Sequence, residues 1–225
     1  MCGRFTLKTS RAKNAELIGS SKSLPLFEPR YNIAPSQPVL AVRIEPERGE
    51  REGTMLKWGL IPSWAKEPSI GNNLINARAD TIAEKPAFRS AFKKRRCIVL
   101  ADGFYEWGQT GPGGKTPYYF QMKDGSPFAL AGLWDRWEKG EEPVESCTLI
   151  TTEANGVVGP VHDRMPVILD SESFARWLDP ERGVTALKAM LAPLPDDWLT
   201  AHPVSKLVNN PRNEGPKCIE EAAGP

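Results

Sequence analysis

The residue with the most distinctive chemistry stands at position 2. Cys2 follows Met1 and precedes Gly3 and Arg4. Methionine aminopeptidase removes Met when the next side chain is small, so Cys2 is expected to become the true N-terminus. It would then carry an α-amine and a thiol two carbons apart, with ordinary pKa values of about 7.7–8.0 and about 8.5. Such a 1,2-aminothiol reacts with an aldehyde in two steps. The amine forms a Schiff base, and the thiolate then closes on the imine carbon to give a five-membered thiazolidine. Closure is intramolecular and gains a high effective molarity. A mid-chain cysteine has no free amine and cannot do this. By position alone, Cys2 as merely a small second residue is the stronger reading. Its neighbours shift that balance. Gly3 lets a ligand approach the backbone. Arg4 is expected to put a cation beside the thiol, lowering its pKa and suiting an anionic substrate.

Four further positions could serve that chemistry. Asn76, in Ile75-Asn76-Ala77-Arg78, could hold the α-amine or a sugar, and Arg78 could hold a phosphate with its planar donor fork. The plainer alternative is a turn Asn and a surface Arg. Glu106 stands between Tyr105 and Trp107 at the end of an apolar run. Partial desolvation there would raise its pKa and fit it for proton transfer. Asp102 is the competing carboxylate, on the same face as Glu106 if one regular strand spans Cys97 to Trp107. His162, in Val161-His162-Asp163-Arg164, is a candidate general acid or base near pH 7. The only other histidine, His202, reads equally well as structural. Basic residues recur beside aromatics at Arg30-Tyr31, Lys57-Trp58, Trp64-Ala65-Lys66 and Arg136-Trp137. Cations for phosphates and flat rings for unpaired bases suit single-stranded DNA, although any one such pair is as well explained by a snorkelling side chain over a core tryptophan.

The bulk numbers bound what must position these groups. A chain of 225 residues with net charge +1 supports one domain and leaves nucleic-acid contact to a local basic face. Cys2, Cys97, Cys147 and Cys218 are far apart and show no C-x-x-C, which argues against zinc and a disulfide framework. No metal or cofactor is expected. No apolar run approaches the roughly 20 residues of a membrane span, and MCGRFTLKTS lacks a signal core, so a cytoplasmic protein is expected. The 21 Pro and 19 Gly favour short elements.

Strands are predicted over Cys2–Leu7, Val39–Ile44, Met55–Leu60, Cys97–Trp107, Tyr118–Met122, Phe128–Leu133, Cys147–Thr152 and Pro166–Leu169. Residues 19–38, with four prolines, read as loop. A helix capped by Ser10 runs to Leu17 and ends at Gly19. A second begins at the capping box Thr81–Glu84 and is disturbed by Pro86. A third is capped by Asp170 or Ser171, and a last one spans Val184–Leu191. Gly108–Thr116 reads as a Gly-rich hairpin loop. The fold class is α+β: a single domain over 1–213, with a curled mixed sheet or irregular barrel, flanking short helices, and a weakly ordered tail over 214–225.

Eight short blocks in order carry a resemblance. They are Met1-Cys2-Gly3-Arg4-Phe5, Tyr31-Asn32-Ile33-Ala34-Pro35, Trp58-Gly59-Leu60-Ile61-Pro62, Ile75-Asn76-Ala77-Arg78-Ala79, Arg96-Cys97-Ile98, Asp102-Gly103-Phe104-Tyr105-Glu106-Trp107, His162-Asp163-Arg164-Met165-Pro166 and His202-Pro203-Val204-Ser205. From Met1 to about Asn213 the chain resembles the SOS response-associated peptidase family, whose members process abasic sites in single-stranded DNA. The resemblance implies a thiazolidine crosslink between Cys2 and the ring-opened abasic sugar, with weak strand cleavage by β-elimination. It implies that Asn76 positions Cys2, that Glu106 and His162 move protons, that Arg4 and Arg78 contact phosphates, and that Pro35 and Trp64 wedge or stack beside the lesion. A monomer is expected, nucleoid-associated if the source is bacterial, with replication-fork proteins as candidate partners. Three other readings stay open: a cysteine peptidase or self-processing hydrolase with Cys2 as nucleophile, an N-terminal-cysteine amidotransferase, and a non-catalytic DNA-binding module.

Overall fold

Runs such as Arg96–Ala101, buried at every position, can only be strands covered on both faces. The computed structural model of the protein describes residues 2–19, 24–109 and 114–222. Its elements are β1 (Phe5–Leu7), α1 (Arg11–Leu17), β2 (Arg30–Ile33), β3 (Pro38–Ile44), β4 (Arg51–Trp58), β5 (Asn76–Arg78), α2 (Arg89–Lys94), β6 (Arg96–Ala101), β7 (Gly103–Gln109), β8 (Lys115–Met122), β9 (Phe128–Trp137), β10 (Val144–Glu153), β11 (Arg164–Pro166), β12 (Ile168–Leu169), α3 (Ser173–Leu178), α4 (Val184–Lys188) and β13 (Leu199–Pro203), with short 3₁₀ turns between some of them.

Five strands close on themselves. β3 pairs with β4 and β6, β6 with β9, β9 with β10, and β10 returns to β4. All these pairs are antiparallel except β4–β10. This small barrel carries β11, β12 and the short β5 on its rim. A second sheet runs β13-β8-β7-β1-β2 and is antiparallel throughout. Short helices flank the strands, so the chain is an α+β domain built on an irregular barrel.

The chain passes from the barrel to the second sheet at Asp102, and there one expectation fails. Cys97–Trp107 is not a single strand. It breaks into β6 and β7, which belong to different sheets. Asp102 is therefore not the facial partner of Glu106. Its Oδ2 accepts the backbone N–H groups of Lys8 and Thr9 (3.1 Å for Thr9). The turn admits only glycine next, because a Cβ on Gly103 would lie 2.3 Å from the Tyr119 ring.

Other differences have local causes. Residues 19–38 hold β2, which hydrogen-bonds to β1 despite the surrounding prolines. The Thr81–Glu84 capping box starts no helix. Residues 79–87 form turns, and α2 begins only after Pro86, whose ring bars the preceding helical turn. α1 and its Ser10 cap are as expected. Before α3 the N-cap position falls to Glu172, which makes no side-chain cap bond, and not to Asp170 or Ser171; Asp170 Oδ1 accepts the Ser173 N–H at 2.7 Å from ahead of the cap. β7 and β8 extend the hairpin to Gln109 and Lys115, and its loop tip lies outside the described residues. Beyond Asn213, Glu214 accepts the Tyr31 N–H at 2.8 Å, Cys218 is 1% exposed, and Val204 bridges Glu221. Among the described residues, no helix is long and apolar enough to cross a membrane.

Asp102→Ala removes the acceptor of two backbone donors at the sheet crossing. Urea unfolding is expected to show a loss of about 2–3 kcal/mol with an unchanged m-value. A loss below about 0.5 kcal/mol would contradict the role given to this carboxylate.

Candidate active site

The chain segment ahead of β1 brings Cys2 into the interior. Cys2 is fully buried, with Sγ 4.0 Å from the Arg4 carbonyl. Asn76 reaches it from the barrel side, its Nδ2 donating to the Cys2 carbonyl at 2.8 Å. The other end of that amide, Asn76 Oδ1, is buried with no hydrogen-bond partner among the described residues. β5 places Asn76 by running parallel to β10, with Leu149 opposite. Just before it, the Ile75 carbonyl accepts both the Trp58 indole N–H (2.9 Å) and the Leu149 N–H (3.1 Å). Trp58 in turn packs on Phe5 at 5.2 Å between ring centroids. The loop leaving β4 crosses so close to itself that a Cβ on Gly59 would lie 2.7 Å from the Gly71 carbonyl oxygen. Gly59 also has φ of +129°, a backbone region that favours glycine.

Glu106 lies in mid β7, opposite Tyr118 of β8, and is 2% exposed. Burial pushes its carboxyl up to about 7, so acid and base forms coexist near neutral pH. His162 sits on the turn between β10 and β11, anchored by its backbone N–H to the Val158 carbonyl at 3.0 Å. Its Nδ1 accepts the Arg164 N–H at 2.9 Å. Asp163 Oδ1 is also 2.9 Å from Nδ1, but an ion pair there would need a proton on the nitrogen that already accepts the amide. Burial lowers the His162 pKa. The neutral ring with its proton on Nε2 is thus the resting form.

The Cys2 thiol is pushed far above the ordinary thiol range, first by burial and then by the negative charge of Glu106. This corrects the expectation that Arg4 lowers it. The Arg4 guanidinium turns away from the thiol. Its Nη1 donates to Asn32 Oδ1 and to the Val208 carbonyl, both at 2.6 Å, and the group lies 5.7 Å from the centre of the Trp107 ring. Arg4, Glu106, Trp107, Lys115, His162 and Asn209 together line a cleft of about 430 Å³.

Of the predicted residues, Cys2, Asn76, Glu106, His162 and Arg4 converge on this region. Pro35, Trp64 and Arg78 stand outside the cleft lining. Pro35 is half-buried ahead of Ser36, whose φ is +71°. Trp64 is 53% exposed, on a loop tied down by Lys139 Nζ donating to its carbonyl at 2.8 Å. Arg78 is exposed and held in a two-point pair by Asp80 at 3.2 and 2.7 Å. His202 is structural, its Nε2 2.8 Å from the Ile219 carbonyl. Lys115 and Asn209 were not singled out from sequence. Only their neighbours carried a signal: Lys115 follows a Gly-rich stretch, and Asn209 lies in Val208-Asn209-Asn210-Pro211. Among the described residues, no three of His, Cys, Asp and Glu cluster as a metal site would require.

A family model described as SOS response associated peptidase (SRAP) matches residues 1–211. An abasic site processing protein of Bacillus subtilis, YoqW, is 43% identical over 224 residues, covering 98% of this chain and 99% of that protein. The chicken (Gallus gallus) abasic site processing protein HMCES is 38% identical, covering 86% of this chain and 66% of its own length. A crystal structure of a Bacteroides thetaiotaomicron protein superimposes with a TM-score of 0.88 at 28% identity, covering 99% of this chain and all of that one.

A buried carboxyl with a raised pKa favours folding while protonated. That stability is present below about pH 4.5 and is lost as pH rises through about 7. Glu106→Gln should remove this slope. Between pH 5 and 8 the wild-type protein should lose stability relative to the variant, by on the order of 3 kcal/mol. Parallel pH–stability curves for the two proteins would show that the carboxyl is not held near neutrality.

Proposed function

The chain belongs to the SOS response associated peptidase family, and from that premise we propose that it captures abasic sites in single-stranded DNA as a thiazolidine through the α-amine and thiol of Cys2. The observation that carries this reading is the 2.8 Å hydrogen bond from Asn76 to the Cys2 carbonyl. It seats residue 2 within electrostatic reach of Glu106. Once Met1 is gone, Asn76 Oδ1, buried and without a partner among the described residues, is the acceptor for an α-amine N–H.

The proposed sequence balances as one aldehyde and one aminothiol giving one thiazolidine and one water. Glu106 or His162 assists opening of the deoxyribose hemiacetal, exposing the C1′ aldehyde. The α-amine of Cys2 adds to C1′. The protonated Glu106 carboxyl donates to the carbinolamine oxygen, water leaves, and an iminium forms. The positive iminium now lies beside a thiol that burial had kept protonated, and it lowers that thiol's pKa. The Glu106 carboxylate takes the proton, and the thiolate closes on C1′. A protonated resting thiol makes the amine react first. It also supports this reading over a cysteine peptidase, which needs a thiolate of depressed pKa. The same iminium can lose the 3′ phosphate by β-elimination, giving weak lyase activity. On the outer surface, Trp64 and Pro35 flank the lesion. Arg78 reaches a phosphate by exchanging its Asp80 partner, and Arg4 adds positive charge inside the cleft.

The test is a denaturing gel of the protein with a single-stranded oligonucleotide carrying one abasic site, run without borohydride. A slow band that Cys2→Ala abolishes is expected. Glu106→Gln should slow its formation by at least about 10²-fold. A stable band retained in full by Cys2→Ala would sink the assignment.

A further inference from the structure

The cleft carries two polar groups that the chemistry above does not use. Asn209 is set in place by a dedicated arrangement. The side chain of Asn32, fully buried, donates to the carbonyls of Val208, Asn210 and Asn213 at 3.3, 3.0 and 2.8 Å. Arg4 Nη1 donates to the same Val208 carbonyl at 2.6 Å. The carbonyls before and after Asn209 are thus both tied to one buried amide. Asn209 itself takes the Trp107 indole N–H at 2.7 Å. An indole nitrogen only donates, so the atom facing Trp107 must be Oδ1. The amide orientation is therefore fixed, and the two N–H donors of Nδ2 are turned away from Trp107, on a residue that lines the cleft.

Lys115 lines the same cleft from the start of β8. It is exposed, and its ammonium makes no hydrogen bond or ion pair among the described residues, yet its charge reaches both Glu106 and His162. An ammonium and an oriented amide NH₂ that line one small cleft together with two proton-transfer groups match an anion with several acceptor oxygens.

We propose that Lys115 Nζ and Asn209 Nδ2 form a phosphodiester subsite that grips the phosphate adjoining the reacting sugar. The inference rests on the reading above and adds to it which atoms hold that phosphate. It also gives the segment 206–213 a purpose: Asn32 and Arg4 shape it so that Asn209 can serve as a wall of the cleft.

Two variants separate this subsite from a role in folding. Asn209→Asp keeps the acceptor for Trp107 and replaces the two donors by a second carboxylate oxygen facing the phosphate. Lys115→Gln removes the charge from an exposed position. Binding is measured to a single-stranded oligonucleotide carrying a tetrahydrofuran abasic analogue, which has no aldehyde and cannot crosslink. Lys115→Gln should flatten the plot of log affinity against log salt by about 0.7, the value of one single-strand phosphate contact. Asn209→Asp should weaken binding about tenfold or more. In parallel, the crosslinking rate on an abasic oligonucleotide is divided by the rate of adduct formation with free 2-deoxyribose, which has no phosphate. That ratio should fall about tenfold or more in both variants. An unchanged salt slope, together with unchanged affinity in Asn209→Asp, overturns the subsite. So does an equal loss on both substrates, which would mean that these residues act on the chemistry instead. A wild-type protein that forms no adduct with either substrate defeats the crosslinking reading, while the binding arm still decides the subsite.

Discussion

One hydrogen bond joins the two halves of this molecule at the place where chemistry is proposed. Asn76 belongs to the rim of the barrel, and Cys2 leads into the second sheet. Glu106 comes from the second sheet and His162 from the barrel side, so the proposed catalytic set is assembled only if the two sheets keep their relative position. Much of the surrounding structure serves that requirement. Trp58 ties Ile75 to the barrel and packs on Phe5 of β1. Asp102 holds the turn by which the chain changes sheets. A free N-terminus is ordinarily the first part of a chain to fray. Here residue 2 is buried and hydrogen-bonded, which is what the proposed nucleophile, with a single productive geometry, requires.

Burial sets the protonation states that the proposed reaction needs. It lifts the Glu106 carboxyl to about 7, lowers His162 and raises the Cys2 thiol. The thiol and the imidazole are thus neutral in the resting site while the Glu106 carboxyl exchanges between acid and base forms near neutral pH, and none is a strong nucleophile before an electrophile arrives. In the proposed reaction, the cation that forms on the amine releases the thiolate. A thiol activated in advance would be exposed to oxidation and to unproductive addition. Coupling activation to iminium formation avoids both.

The sequence shows the chemistry more readily than the scaffold. Cys2, Asn76, Glu106 and His162 stand out because each is a reactive or polar type in an otherwise apolar or turn-rich neighbourhood, and the structure brings them together. The strands with strong β-branched and aromatic runs, such as β6, β9 and β10, are legible for the same reason. The break at Asp102 is not, because an apolar run reads the same whether it stays in one sheet or crosses to another. β2 is hidden by flanking prolines, although it lies at a sheet edge where prolines are tolerated. The Thr81 capping box misleads because Pro86 overrides it a few residues later. Arg4 reads as a neighbour of the thiol by sequence distance, yet Asn32 and Val208, distant in the chain, capture its guanidinium. Lys115 and Asn209 have no sequence signature, since their placement in the cleft depends on hydrogen bonds between segments far apart in the chain.

The central claim is that both functional groups of Cys2 bond to one carbon of the substrate. The most direct measurement is a carbon NMR spectrum of the crosslink made with an abasic oligonucleotide ¹³C-labelled at C1′. The account predicts a saturated carbon bonded to both nitrogen and sulfur, and its absence when Cys2 is replaced by Ala. A labelled carbon that remains a hemiacetal, or that stops at an unsaturated imine in the wild-type protein, would contradict it.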